Sequence, residues 1–249
     1  MAYKNNKSLG QHWLKNRAIL DEIADLAGES GVCLEIGPGL GTLTSSLLKR
    51  FNEVIAVEYD KNLANNLPKS FPGKNLKVIN ADILDFDFSL IKGPYAVAGN
   101  IPYYITSPII EKLLTVENKP KRIVLLIQKE VAERIADEKE TMLSLFVKNF
   151  ANVELGPVVL KAEFTPPPKV DSQVIVLVPH ERVVSDNVFK LIRQGFSAPR
   201  KKLLHNLNSL KSKEDLINIF TKLNIDINAR PGDLDLSKWQ QLYGALEDK

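Results

Sequence analysis

The chain has 249 residues, of which 44% are hydrophobic and 25% charged, with a formal net charge of +3. That length allows one large domain, or one large and one small domain. A single cysteine, Cys33, excludes an internal disulfide, and three scattered histidines disfavour a metal site, so we expect none. No apolar run approaches the roughly 20 residues of a membrane span, and the polar first residues lack a signal-peptide core, so we expect a cytoplasmic protein.

The first part of the chain predicts alternating helices and strands. Residues 17–27 predict an amphipathic helix, because apolar residues recur at helical spacing before Gly28. Apolar runs at 32–36, 54–57 and 76–79 predict buried strands. A helix from Thr42 to about Arg50 is predicted after the first strand. Strand, glycine-rich turn and helix in this order are typical of the start of a nucleotide-binding βαβ unit.

Each of the three strands is followed by a residue that suits a nucleoside ligand. The first leads into a G-x-G-x-G turn containing Gly37 and Gly39, whose spacing differs from that of a dinucleotide-binding loop. Glu58 ends the second strand and can accept both ribose hydroxyls, and Asp82 after the third can accept from an adenine amine. The alternatives are a surface acid at Glu58 and a turn cap at Asp82. Together, the three signals favour an adenosine ligand without pyrophosphate, such as S-adenosylmethionine.

The stretch Asn100-Ile101-Pro102-Tyr103 lies between a predicted strand at 95–99 and a predicted helix at 107–114. The Asn100 carboxamide can accept a hydrogen bond from an exocyclic amine. Pro102 disfavours the helical conformation at Ile101, whose carbonyl can then accept a second one. Tyr103 offers a ring on which a base can stack. The alternative is an ordinary strand-to-helix turn.

The elements that follow end in a proline-rich connection. A strand at 122–127 and helices at 128–134 and 142–150 are predicted, and 158–160 and 174–178 predict a closing antiparallel pair. Between that pair stands Phe164, followed by three prolines that stiffen the loop. Phe164 is either a second stacking wall or a core residue beneath a rigid loop.

From about Arg182 the pattern becomes helical and basic. No acidic residue lies between Asp186 and Glu214, and the first twenty residues carry basic side chains, Lys7 among them, without an acid. Two such segments predict a phosphate-binding surface, with a solvated helix face as the alternative. The basic residues of the later segment are Lys190, Arg193, Arg200, Lys201, Lys202, Lys211 and Lys213.

Taken in order, these motifs resemble the ribosomal RNA adenine N6-dimethyltransferase family, and within it the enzymes of small-subunit (16S) rRNA. The segments that carry the resemblance are 7–11, 35–41, 58, 82, 100–105, 128–134 and 164–172. The resemblance implies an α/β fold: a Rossmann-like, seven-stranded class I methyltransferase domain in 1–180, with a small all-helical C-terminal RNA-binding domain in 181–249. It also implies N6,N6-dimethylation of two adjacent adenosines near the RNA 3′ end, in a partly assembled subunit, by a monomer.

The resemblance implies roles for individual residues. The implied cofactor-binding residues are His12, Leu14, Gly37, Gly39, Glu58, Asp82 and Asn100. The implied catalytic residues are Asn100, Ile101, Pro102, Tyr103 and Phe164. The implied RNA-binding residues are Lys7, Arg200, Lys201 and Lys202. The chain departs from the family at His12-Trp13, where Asn-Phe is usual, and at Pro199, where an arginine is usual.

Three other functions remain open at this point. One is a large-subunit rRNA methyltransferase of the macrolide-resistance type, against which the opening motif and the segment 164–172 argue. Another is a non-catalytic RNA-binding assembly factor, which the intact Asn100–Tyr103 motif disfavours. The last is a nicotinamide-dependent oxidoreductase, which the glycine spacing disfavours.

Overall fold

The computed structural model describes residues 11–247, which form two compact units. The first comprises the described residues up to 133 and residues 152–179, and the second comprises 134–151 and the described residues from 180 onward. The strands are β1 (Trp13–Leu14), β2 (Val32–Ile36), β3 (Glu53–Glu58), β4 (Leu76–Asn80), β5 (Tyr95–Asn100), β6 (Arg122–Gln128), β7 (Ala151–Val159), β8 (Phe164–Thr165) and β9 (Ser172–Pro179). The helices are α1 (Arg17–Ala27), α2 (Thr44–Leu47), α3 (Lys61–Asn66), α4 (Thr106–Thr115), α5 (Lys129–Ala136), α6 (Met142–Phe150), α7 (Asp186–Gly195), α8 (Leu203–Asn206), α9 (Lys213–Lys222) and α10 (Leu236–Glu247).

The first unit is built on a seven-stranded sheet in the order β4-β3-β2-β5-β6-β9-β7. Strand β2 pairs in parallel with β3 on one side and with β5 on the other, while β9 pairs antiparallel with β6. The strand order therefore reverses between β2 and β5. In an open α/β sheet, this switch point at the carboxyl ends of the strands is where ligands bind. The sheet confirms the expected α/β, Rossmann-like, seven-stranded architecture.

Local sequence signals explain the first helix and its packing. Asn16 caps α1 by accepting from the backbone N–H groups of Ala18 and Ile19, and Gly28, with φ 108°, ends it. One face of α1 buries Leu20, Ile23, Ala24 and Ala27 in a core that also contains Cys33 and Val54 of the sheet.

The helix predicted for Thr42–Arg50 is shorter in the structure. Only 44–47 form an α-helix, after which the N–H groups of Lys49 and Arg50 bond to carbonyls three residues earlier. The last turn therefore tightens, as is common at helix ends. The predicted strand at 158–160, by contrast, overlaps only the end of a longer strand, β7, which lies beside β9 and ends at Val159.

The second unit is helical and has its own core. Trp239 and Phe220 are fully buried there, and Leu145 of α6 belongs to the same apolar cluster. Glu140, just before α6, is buried and accepts from Lys148 Nζ and Ser144 Oγ. Its backbone N–H donates to the carbonyl of Gly232 at 2.8 Å, which ties α6 to the segment before α10. None of the helices within residues 11–247 is long and apolar enough to cross a membrane.

Replacing Gly195 with alanine tests the packing of the second unit. A Cβ at Gly195 would clash with Cη2 of Trp239, so we expect Gly195→Ala to lower the free energy of unfolding by about 1–3 kcal/mol. Gly244 of α10 is the matched control, since a Cβ there would meet nothing within 4 Å. Gly244→Ala should be neutral or stabilise by up to ~1 kcal/mol. Urea denaturation followed by tryptophan fluorescence measures both, and equal stabilities would contradict the packing.

Candidate active site

A cavity of about 290 Å³ lies at the carboxyl ends of the strands in the first unit. It gathers residues that are distant in sequence, because parallel strands place their carboxyl ends along the same edge of the sheet. The predicted site residues that line it are His12, Leu14, Gly37, Gly39, Glu58, Asp82, Asn100, Ile101, Pro102 and Tyr103.

The glycine-rich turn after β2 forms one wall of the cavity with its backbone. Gly37 and Gly39 both adopt left-handed φ values, 63° and 57°, which glycine adopts without strain. The Gly37 N–H donates to the carbonyl of Val57 at 2.9 Å, which fixes the turn against β3. A Cβ on Gly39 would lie 3.0 Å from Nε1 of Trp13. The turn therefore brings bare backbone close to whatever occupies the cavity.

Glu58 ends β3 and is almost completely buried, with 6% of its surface exposed. Its Oε2 accepts from the Gly39 N–H at 3.0 Å and its Oε1 from the Asp60 N–H at 2.8 Å. Burial raises the pKa of Glu58, while these backbone donors oppose the rise. Both oxygens are thus fixed in place, and each retains a lone pair for a ligand hydroxyl.

Asp82 follows β4 and combines the two roles considered for it. Its Oδ1 accepts from the Leu84 N–H at 2.9 Å, which makes it the cap of a turn. The same residue lines the cavity and is half-buried. The turn therefore holds the carboxylate at the cavity wall.

The Asn100–Tyr103 stretch leaves β5 and enters a helical turn only at Tyr103. Asn100 Nδ2 donates to the carbonyl of His12 at 2.8 Å, which leaves Oδ1 as the acceptor end of the amide. Pro102 is extended (φ −60°, ψ 134°), so the turn at Tyr103–Ile105 starts after Ile101, as predicted. The Tyr103 hydroxyl lies 2.7 Å from Ser172 Oγ. Burial raises the pKa of Tyr103. Ser172 thus holds the Tyr103 ring at the cavity wall.

The remaining predicted residues lie elsewhere. Phe164 is buried, pairs with Leu14 between β8 and β1, and belongs to the apolar core; it is not among the described residues that line the cavity. Lys7 lies outside the described residues. Arg200, Lys201 and Lys202 are exposed on the second unit.

Glu35, for which sequence reasoning assigned no role, is a buried carboxyl in the cavity wall. It is 1% exposed, and its Oε2 has no hydrogen-bond partner within the described chain. Burial, together with the nearby charge of Glu58, raises the pKa of Glu35 to about 8, while Thr44 opposes the rise. The available signal was a lone acid in an apolar strand directly before the glycine turn. Tyr104, 65% exposed, also lines the cavity and was not assigned a role.

Within residues 11–247, no group of three or more His, Cys, Asp or Glu side chains is arranged to hold a metal ion. The residues that line the cavity offer two kinds of group to a ligand, acidic groups and groups that suit an amine on a flat ring. The acids Glu58 and Asp82 give it negative potential, and Glu35 adds to it only where it has lost its proton. Asn100, Ile101 and Tyr103 supply acceptors and a ring for a flat, amine-bearing molecule.

The sequence matches the profile of a known family, described as ribosomal RNA adenine dimethylase, over residues 2–248. It is 38% identical over 255 residues to the ribosomal RNA small subunit methyltransferase A of Dehalococcoides mccartyi (strain CBDB1), covering 96% of this chain and 87% of that protein. The protein of the same name in Picosynechococcus sp. (strain PCC 7002) is 39% identical over 265 residues, with 97% of each chain covered.

Solved structures share the fold. A dimethyladenosine transferase from Plasmodium falciparum superposes with a TM-score of 0.78 at 31% identity, covering 92% of this chain and 95% of that one. The 23S rRNA methyltransferase ErmE has a TM-score of 0.79 at 24% identity, covering 95% and 100%, which is a likeness of fold alone.

Replacing Glu35 with glutamine tests its buried, protonated state. In the native protein Glu35 keeps its proton up to about pH 8, whereas in the unfolded chain the side chain loses that proton near the ordinary pKa of 4.5. Its contribution to stability is therefore complete below pH 4.5 and is lost as the pH rises through 8. Relative to Glu35→Gln, the wild-type free energy of unfolding should fall by roughly 4 kcal/mol between about pH 5 and pH 8. Urea titrations across this range measure the difference, and parallel pH profiles would refute a raised pKa.

Proposed function

This chain belongs to the ribosomal RNA adenine dimethylase family, and we propose that it transfers methyl groups from S-adenosylmethionine to N6 of two adjacent adenosines near the 3′ end of small-subunit (16S) rRNA. The convergence of Asn100, Ile101 and Tyr103 on one cavity with Glu58 and Asp82 is the observation that carries this proposal. The small-subunit target is supported by relatives with that name at 38–39% identity over nearly the whole chain.

The cavity fits S-adenosylmethionine in charge and in hydrogen-bonding groups. Glu58 would accept from the ribose hydroxyls, Asp82 from the adenine amine, and the turn at Gly37 and Gly39 would lie along the methionine part. Leu14, Asn100 and the backbone of His12 would complete the cofactor wall. A cationic ligand would favour the ionised form of Glu35, whose Oε2 has no hydrogen-bond partner within the described residues. When bound, S-adenosylmethionine supplies an electrophilic methyl group carried on a sulfonium centre.

The chain's own residues position the target amine. An adenine inside a stack cannot present N6, so it must leave the stack, at a cost of a few kcal/mol. Tyr103 stacks on the extruded base and recovers part of this cost. Asn100 Oδ1 and the Ile101 carbonyl accept from the amine and orient its lone pair. Most of the acceleration then comes from positioning and from acceptors matched to the positive charge that develops on nitrogen.

A double transfer places a further requirement on the same residues. After the first methylation the amine has one N–H fewer, so only one of the two acceptors, Asn100 Oδ1 or the Ile101 carbonyl, can still be used. Stacking on Tyr103 does not depend on the number of N–H groups. The ring is therefore the contact that holds the substrate equally in both steps. Phe164 is buried in the apolar core and pairs with Leu14, and its part as a second stacking wall for the base stays a prediction.

The second unit would bind the RNA backbone. Arg200, Lys201 and Lys202 are exposed in a stretch without acids, and Lys7 would add a contact from the N-terminal segment. Lysine and arginine on phosphates bind RNA without reading its sequence. We place the protein in the cytoplasm as a monomer that acts on a partly assembled small subunit.

Transfer of a labelled methyl group tests the proposal. Small and large ribosomal subunits that lack these methyl groups are incubated with the protein and labelled S-adenosylmethionine, and reverse transcription maps the product. N6-dimethylation removes both amine protons and blocks pairing, so two adjacent stops near the small-subunit RNA 3′ end are expected. Label in large-subunit RNA would overturn the proposed target. Absence of both label and cofactor binding would favour a non-catalytic assembly factor.

Two substitutions should separate substrate stacking from cofactor binding. Tyr103→Ala should slow transfer by about 5- to 150-fold, since base stacking contributes about 1–3 kcal/mol, with cofactor affinity nearly unchanged. Asp82→Ala should weaken cofactor binding. Calorimetric titration and initial rates measure the two effects. An equal loss of transfer rate and cofactor affinity in Tyr103→Ala would contradict the stacking role. Unchanged cofactor affinity in Asp82→Ala would contradict the cofactor-binding role.

Removing Arg200 and Lys201 together should weaken RNA binding in a salt-dependent manner. Each phosphate contact contributes about 0.7–0.9 to the slope of log affinity against log salt, so the double alanine variant should lower the slope by between about 1 and 2. Lys74→Ala with Lys77→Ala removes the same charge from exposed positions of the first unit and is the matched control. Filter binding over a salt series measures the slopes. Identical slopes for the two double variants would mean that the loss of RNA affinity reflects net charge alone and not a phosphate contact of Arg200 or Lys201.

A further inference from the structure

His12 contacts three other parts of the active site at once. Its carbonyl accepts from Asn100 Nδ2 at 2.8 Å. Its Nδ1 lies 2.7 Å from the carbonyl of Pro166. Its ring lies beside that of Tyr103, with 6.3 Å between ring centroids and 20° between the planes. All four residues belong to the first unit.

The short pairing of β1 with β8 explains why the His12 carbonyl is available. Lys15 N–H donates to the Glu163 carbonyl at 3.1 Å, and Trp13 pairs with Thr165. Hydrogen-bonded and non-hydrogen-bonded positions alternate in an antiparallel pair, so residue 12 comes opposite Pro166 at a non-hydrogen-bonded position. There the backbone carbonyl points away from the partner strand. It is therefore left for Asn100, 88 residues along the chain.

The bond from Asn100 to this carbonyl decides which end of the amide is presented to substrate. A carboxamide has a donor end, Nδ2, and an acceptor end, Oδ1, which exchange positions when the amide rotates by 180°. Because a carbonyl only accepts, the His12 carbonyl selects the orientation in which Nδ2 faces it. The acceptor Oδ1 is then the end that remains for an amine. In the flipped orientation a donor would meet the amine, and the proposed hydrogen bond would be lost.

The imidazole keeps that carbonyl in place. The Pro166 carbonyl only accepts, so Nδ1 must carry the proton in this bond. Strands β1 and β8 are two residues each, and a ladder this short holds the chain weakly. The bond from the His12 side chain therefore fastens the start of β1 where the backbone pairing has ended.

We propose that His12 is a positioning residue of the active site: its side chain fastens β1 to Pro166, and its carbonyl thereby holds the Asn100 carboxamide with Oδ1 toward the target amine. The role rests on the proposed methyl transfer and adds to it. It acts through Asn100 and predicts an effect on the transfer step, whereas a side chain that only contacted the cofactor would affect cofactor affinity.

Three substitutions separate the hydrogen bond from the ring. His12→Ala removes both, His12→Phe keeps a ring without a donor, and His12→Asn keeps a donor near the place of Nδ1 without the ring. We expect His12→Ala and His12→Phe to lower kcat by tenfold or more, in line with the roughly hundredfold cost of small misplacements. His12→Asn should recover activity to within about threefold of wild type, since it restores the bond that the proposal requires. Cofactor affinity should change little in all three.

His180→Ala is the matched control. His180 Nδ1 also lies within hydrogen-bond distance of a carbonyl, that of Glu181 at 2.6 Å, but the residue does not line the cavity. It should retain wild-type kcat. A His12→Phe variant as active as wild type would overturn the proposal, and so would a series in which only cofactor affinity changes.

Hydrogen exchange in the wild-type protein provides a test that no variant can spoil by misfolding. The Nδ2 proton that Asn100 donates to the His12 carbonyl should exchange with solvent at least tenfold more slowly than those of an exposed asparagine, because a partly buried hydrogen bond must open first. Side-chain amide signals in NMR spectra report both rates, and equal rates would overturn the proposal. This measurement requires no RNA. If the wild-type protein methylates neither subunit, the proposed function fails while the orientation of Asn100 is still decided.

Discussion

The parallel pairing of β2 between β3 and β5 is the constraint on which the site depends. Because β2 is central, the chain leaves its carboxyl end beside those of both neighbours, and a crevice forms where the strand order reverses. The fit there is close: Gly99 lies opposite Ile36, and a Cβ on Gly99 would be 2.9 Å from the Ile36 carbonyl oxygen. The glycine turn after β2 and the Asn100 stretch after β5 therefore face the same cavity.

The cavity wall buries two acidic side chains at a cost to folding. Glu35 and Glu58 are both buried, and burial raises the pKa of each. The charge of Glu58 raises that of Glu35 further. Groups whose pKa is shifted by burial and by a like charge are typical of functional sites, where binding rather than stability determines the arrangement. A cationic ligand favours the ionised form of such a carboxyl, so Glu35, protonated in the protein alone, can become a counter-charge for the sulfonium of S-adenosylmethionine.

Rigid backing surrounds the groups that would act on substrate. Ser172 holds Tyr103, the His12 carbonyl holds the Asn100 amide, and backbone N–H groups hold Glu58. A site that depends on positioning needs such support, because small misplacements weaken its effect. The second unit is organised differently, with Trp239 and Phe220 in an apolar core and Arg200, Lys201 and Lys202 in solvent, where phosphates can reach them.

The sequence by itself determined the parts of this protein that depend on neighbours along the chain. Apolar runs predicted the strands, and the residues after them predicted the glycine turn, Glu58, Asp82 and Asn100. Tertiary structure decided the rest. The burial of Phe164 in the core accompanies its pairing with Leu14, and a two-residue strand does not reveal that pairing from sequence. The raised pKa of Glu35 depends on burial from all sides. The partner of Asn100 stands 88 residues away and is a backbone carbonyl, a group that every residue carries and that only the folded chain can single out.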